Sequence, residues 1–154
     1  MRVSGVRRSA SERKLVATDV VEFRGHAMVR ASHPTTIEVT TEEYLTENGD
    51  CIVGVGASKG CAGLDAATKE AVRRQGAKVT LRLVLGDLAF EVRAEGDPRL
   101  GLSDPHDIVV RKSDFVSDRT LAVRADSASR SIPREMVRLL KNPATRGRLE
   151  IEVE

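Results

Sequence analysis

Residues 24–45, RGHAMVRASHPTTIEVTTEEYL, return in outline 71 positions later as EGDPRLGLSDPHDIVVRKSDFV, residues 95–116. Gly25 falls on Gly96, Ser32-x-Pro34 on Ser103-x-Pro105, Ile37-x-Val39 on Ile108-x-Val110 and Tyr44 on Phe115. Apolar residues two apart mark a strand with one buried face, and the Ser-x-Pro segments before them are turn formers. Each copy therefore reads as a loop feeding a strand.

Beyond this stretch the offset shrinks to 68. Leu64, Thr68, Ala71 and Val72 then meet Ile132, Met136, Leu139 and Leu140. Both sets fall at i, i+4, i+7 and i+8, which places four side chains on one face of a helix. The first helix is predicted to start at an Asp65 N-cap and end at Gly76; the second starts near Ser131-Ile132-Pro133 and stops before Pro143. Alternating segments follow each, KVTLRLVL from Lys78 and GRLEIEVE from Gly147. Each half reads strand, loop, strand, short helical turn, strand, helix, strand. Two copies of such a unit must bury their apolar faces against each other. The expected fold is a single α+β domain with an internal pseudo-twofold duplication. Its sheet would be mixed or antiparallel, or a small β-barrel, with one helix per repeat. The repeats span about 15–85 and 86–154, preceded by a basic flexible tail at 1–14.

Length and composition agree with one globular domain. The chain has 154 residues, 40% hydrophobic and 31% charged, enough for a core without metals or disulfides. No apolar run is long enough to span a bilayer, so a cytoplasmic protein with no membrane partner is expected. The net charge of +2 is unevenly spread. The tail carries five basic residues against Glu12, residues 15–92 sum to −3 and residues 93–148 to +4. One polarised surface is the expectation.

The turn between two of the strands, TIEVTTEEYLTENGDCIVGV from Thr36, places Gly49-Asp50 just before the second strand. This order resembles the GD box of cradle-loop barrels, and the resemblance implies a small barrel of interleaved halves. The second half departs from it with Ser117-Asp118-Arg119. A longer resemblance rests on FRGHAMVRASHPTTIEVT, LTENGDCIVGVGA, VVRKSDF, TLAVRAD and PREMVRLLK. These blocks look like those of an archaeal family known only as a domain of unknown function. The resemblance implies a free-standing intracellular archaeal protein and carries no activity, cofactor or catalytic residue.

Four places bear chemistry. Cys51 follows Asp50, but neighbours on a strand point to opposite faces, so a buried thiol sharing a face with Val53 and Val55 is expected. The stretch GVGASKG lies between a strand and a helix, yet Lys59 stands where a third phosphate-loop glycine belongs; an eased strand exit is the simpler reading, with Lys59 a candidate anion contact. All three histidines lie in the Ser-x-Pro loops. His26, His33 and His106, with Asp97, Asp104 and Asp107, would form an acid–base cleft if the pseudo-dyad gathers them, and would cap loops if it does not. Finally, Arg111, Lys112, Arg119 and Arg124 lie in a basic run that continues through Arg130, Arg134 and Arg138. Guanidinium groups match phosphate oxygens, whereas one tyrosine, three phenylalanines and no tryptophan offer little for base stacking.

These readings favour a non-catalytic module binding an anion, either RNA phosphate or another phosphorylated ligand, through Arg111, Lys112, Arg119, Arg124 and Lys59. The alternative is a small enzyme with catalytic candidates His26, His33, Asp104, His106 and Asp107. Neither calls for a cofactor. The histidine cleft would have groups enough for a metal as well as for acid–base work, but His26-x6-His33 has no metal-ligand spacing of its own, and no metal ligand is assigned.

Overall fold

A computed structural model describes residues 14–46 and 49–154. The basic tail and the Glu47-Asn48 step of the turn fall outside these residues, apart from Lys14. The chain order is β1 (Ala17–Arg24), β2 (Thr36–Thr40), β3 (Ile52–Gly54), α1 (Ala66–Val72), β4 (Lys78–Leu85), β5 (Leu88–Glu95), β6 (Asp107–Arg111), β7 (Thr120–Ala122), α2 (Arg134–Leu140) and β8 (Arg146–Val153). A single 3-10 turn precedes each helix, at Cys61–Gly63 and Ser129–Ser131.

The two halves correspond element by element along the chain. β5 and β6 repeat β1 and β2 at the 71-residue offset; β7, α2 and β8 repeat β3, α1 and β4 at 68. Even left-handed backbone is duplicated: Ala31 and Leu102 have φ near +50°, as do Gly56 and Arg124. A β-carbon on Gly96 would lie 2.0 Å from the Val72 carbonyl oxygen, and one on its twin Gly25 2.3 Å from that of Asn142. Glycine is required there because each loop passes against the end of the other half's helix.

The strands form two four-stranded sheets, in the orders β1-β8-β4-β5 and β3-β2-β6-β7. The first is wholly antiparallel; in the second, β2 and β6 run antiparallel while each has a parallel partner, β3 or β7. One backbone bridge at each side, Arg24 to Val55 and Glu95 to Val123, ties the sheets together without closing them into a barrel. The α+β duplication expected from sequence is present, in its open two-sheet form. Ile37, Val39, Val53, Leu81, Leu83, Val92, Ile108, Val110 and Leu149 meet between the sheets around an apolar cavity of about 20 Å³.

Two local expectations change. Residues 41–46 make no helical turn. Their backbone is engaged elsewhere: Thr41 N–H donates to the His106 carbonyl, and the Glu42 carbonyl accepts from Gly56. The helices are also short, and Leu139 of the expected apolar face is 42% exposed, while Val137 is buried in its place. Among the described residues no helix is long and apolar enough to cross a membrane.

Candidate functional site at the pseudo-dyad

The register of β2 against β6 pairs Glu38 with Val109. These are equivalent positions of the two repeats, so the pseudo-twofold axis passes between them. All five residues of β2 are buried. Alternation sends Ile37 and Val39 to the cavity between the sheets and Glu38 to the opposite face. An apolar twin faces a buried carboxylate across the axis.

The parallel pairing of β2 with β3 forces the intervening chain back along the sheet, and the same holds for β6 and β7. This return brings the twin residues Cys51 and Arg119 to the two sides of Glu38. Cys51 Sγ donates to Glu38 Oε1 at 3.5 Å, and Arg119 Nη1 lies 3.7 Å from the same oxygen. Arg119 Nη1 also donates to Asp107 Oδ2 at 3.1 Å. Cys51 thus packs on a carboxylate and does not share the apolar face of Val53. Arg111 stands beside this group, donating from Nε to Thr120 Oγ1 at 2.9 Å and from Nη2 to Ser117 Oγ at 3.2 Å. Its guanidinium carbon lies 5.0 Å from the centroid of the Phe115 ring.

Burial, followed by the Asp107 charge, pushes the Glu38 carboxyl up to about 7, against the opposing pull of Arg119. Burial and the neighbouring Glu38 push the Cys51 thiol up to about 12. Cys51 is therefore a thiol at neutral pH and supplies no thiolate nucleophile. Arg111 is drawn below the usual guanidinium range by burial and then by Arg119. For Arg119 burial acts in the same direction, but Glu38 and Asp107 outweigh it and raise the value.

Both flanking residues are anchored from the opposite repeat. Cys61 Sγ, in the first half, donates to the Arg119 carbonyl at 3.3 Å. Its twin Ser129, in the second half, has Oγ 2.8 Å from the carbonyls of both Cys51 and Thr36, its one proton shared between them. Each 3-10 turn also donates a backbone N–H to the other half's Ser-x-Pro loop, Ala62 to Asp104 and Arg130 to His33. The loops serve as docking points between interleaved halves.

The histidines are placed apart. His33 lies before the start of β2 and His106 before the start of β6, and because these strands are antiparallel the two sit at opposite ends, with roughly 13 Å of strand between. His26 Nδ1 accepts from Met28 N–H and His33 Nδ1 from Thr35 N–H. Their twins Asp97 and Asp104 accept from Arg99 and His106 N–H in the same way. Histidine and aspartate therefore cap the same turn in different repeats. His106 Nδ1 instead meets Thr41 Oγ1 at 2.8 Å. Of the acids expected in these loops, Asp107, which starts β6, is the one that reaches the axial group, through Arg119. Among the described residues no group of three or more His, Cys, Asp or Glu side chains is arranged to hold a metal ion.

The basic candidates divide. Lys59 pairs with buried Asp19 and with Asp65. Asp19 also accepts the Asp65 N–H at 2.9 Å, so Lys59 belongs to the start of α1. Arg124 pairs with Glu95 at 3.1 Å and Asp97 at 3.5 Å. Lys112 is exposed. Arg111 is held by neutral hydroxyls, and among the described residues no carboxylate forms an ion pair with it. Sequence reasoning passed over Glu38, Ser117 and Thr120. The signal was present in the aligned repeats, where a glutamate stands opposite a valine in an otherwise apolar or threonine-bearing strand.

A family model for a domain of unknown function, DUF371, matches residues 21–154. An uncharacterised protein of Methanocaldococcus jannaschii is 35% identical over 122 residues, covering 79% of this chain and 90% of that protein. The chain belongs to the DUF371 family, with an archaeal relative as the sequence blocks implied.

Proposed function

We propose that this DUF371 member is a non-catalytic anion-binding module whose ligand presents RNA phosphate to Arg111, Arg119 and Lys112. The observation that supports this reading is the state of Arg111. A half-buried guanidinium is fixed by Thr120 and Ser117, lacks a carboxylate partner among the described residues and feels the charge of Arg119. An anion arriving at this edge would offset that repulsion, and two guanidinium forks suit phosphate oxygens. Lys112 extends the positive edge. Arg119 is itself paired with Asp107 and Glu38 through Nη1, but it lies beside Arg111 and is 43% exposed. Lys59, held at the start of α1, and Arg124, paired with Glu95 and Asp97, stand outside the binding set.

The test is binding of a fluorescent single-stranded RNA octamer across a salt series. Affinity should fall with salt, and Arg111→Gln should weaken it and lower the slope of log K against log salt by about 0.7 for each phosphate left without its cation. Affinity indifferent to both salt and Arg111→Gln would overturn the reading.

A further inference from the structure

Of the four aromatic residues, Phe23 is buried and Phe90 lines the apolar cavity. Tyr44 and Phe115 are 67% and 59% exposed. They are twins at the 71-residue offset, one in each chain segment that leaves the axial strand pair. Because β2 and β6 run antiparallel, the two exposed rings leave the strand pair at opposite ends, one beside each repeat's outgoing segment.

Phe115 is braced. Arg111, itself fixed by two hydroxyls, lies over the ring, and Phe115 N–H donates to Ser113 Oγ at 3.3 Å. A guanidinium over one ring face and 59% exposure leave the other face to solvent. A ligand meeting this surface finds a planar apolar platform directly beside the two guanidiniums. The combination suits a flat ring joined to an anion.

Resting on the phosphate-binding reading above, we infer that the ligand is single-stranded RNA, with a base stacked on the open face of Phe115 while its phosphate meets Arg111 and Arg119. Single-strand binders join a cationic track to aromatic platforms in this manner. Tyr44 is the second, weaker platform, because the position equivalent to Arg111 is Thr40 and among the described residues no guanidinium lies over its ring.

The chain contains no tryptophan, so Phe115→Trp creates a single fluorescent reporter at the platform. It should be titrated at fixed ionic strength with an oligoadenylate octamer, with adenosine monophosphate and with inorganic tripolyphosphate, which has charge but no base. Quenching by the first two and not by tripolyphosphate is expected. Phe115→Leu should weaken octamer binding on the order of tenfold and leave tripolyphosphate affinity unchanged. An octamer affinity untouched by Phe115→Leu, or an equal loss for tripolyphosphate, overturns the stacking proposal. Equal affinity for the octamer and the mononucleotide overturns its assignment to a strand and points to a free nucleotide. Loss of tripolyphosphate binding in Arg111→Gln, with Phe115→Leu silent, would leave phosphate binding standing and remove the base; tripolyphosphate binding that ignores Arg111→Gln would remove the underlying reading.

Discussion

Glu38 and Val109 face each other across the pseudo-dyad as the same position of two repeats. One is a 6% exposed carboxylate and the other a 1% exposed aliphatic side chain. The first half supplies the acid and the thiol of the axial group; the second supplies Asp107, Arg111, Arg119 and the hydroxyls. Neither repeat alone contains the site.

Burial raises the Glu38 carboxyl from 4.5 to about 7. The folded state therefore holds this proton more tightly than the unfolded chain. Its contribution to stability is full below about pH 4.5, is lost as pH rises toward 7 and is level beyond, a swing on the order of 3 kcal/mol at most. Glu38→Gln should flatten this part of the profile and be the more stable protein at pH 8. Denaturant unfolding at intervals from pH 4.5 to 8 checks it; parallel curves for the two proteins would refute the assignment.

Both thiols are pushed up to about 12, chiefly by burial. Native protein at pH 7.5 should react with iodoacetamide far more slowly than a free thiol, at Cys51 as well as Cys61, and at ordinary rates once unfolded. Mass spectrometry of timed samples reads this directly. Rapid native labelling of Cys51 would contradict the thiol state described.

Ser129 Oγ is wholly buried and bridges two strand-end carbonyls. Ser129→Ala should cost about 1–2 kcal/mol, since the hydroxyl proton shared by the two carbonyls is lost, while the Cys51 carbonyl keeps the Glu38 N–H at 3.0 Å. Ser129→Cys, copying Cys61 of the other repeat, should recover part of the loss. Thermal unfolding of the pair is the measurement.

Thr68 is wholly buried, and among the described residues its Oγ1 has no hydrogen-bond partner. Its twin in α2 is Met136, also buried. Thr68→Val keeps the shape and removes the orphan hydroxyl, so a gain of about 1 kcal/mol is expected. An unchanged or lowered unfolding midpoint would show that the hydroxyl is satisfied in solution.

Gly96→Ala would press a methyl against the Val72 carbonyl at 2.0 Å. Backbone cannot step aside as a flexible side chain can, so a loss of about 3 kcal/mol or more is expected, against roughly 1 kcal/mol for Gly76→Ala, where the φ of +77° is strained but the space is open. Comparing the two variants separates crowding from dihedral strain.

The duplication was legible because it is written in local periodicity: Ile37-x-Val39 against Ile108-x-Val110 for the strands, Thr68 and Val72 against Met136 and Leu140 for the helices. The positions of every strand pair and helix pair follow from those two offsets. Turn chemistry was legible too, in Gly76 and the Ser-x-Pro loops. The axial site was not. Cys51 stands 13 residues from Glu38, and Arg119 lies 81 residues beyond it; what joins them is the parallel return from β2 to β3 and from β6 to β7, which no single window contains. Ionic matching was equally hidden, because Lys59 reads as a free cation until Asp19, 40 residues earlier, is folded against it. Sequence alone determined the two-copy α+β plan, since short-range apolar spacing specifies elements and their order. Tertiary structure decided which twin positions meet on the axis, which charges are already matched and which guanidinium lacks a carboxylate partner among the described residues, because those depend on contacts made across the dyad.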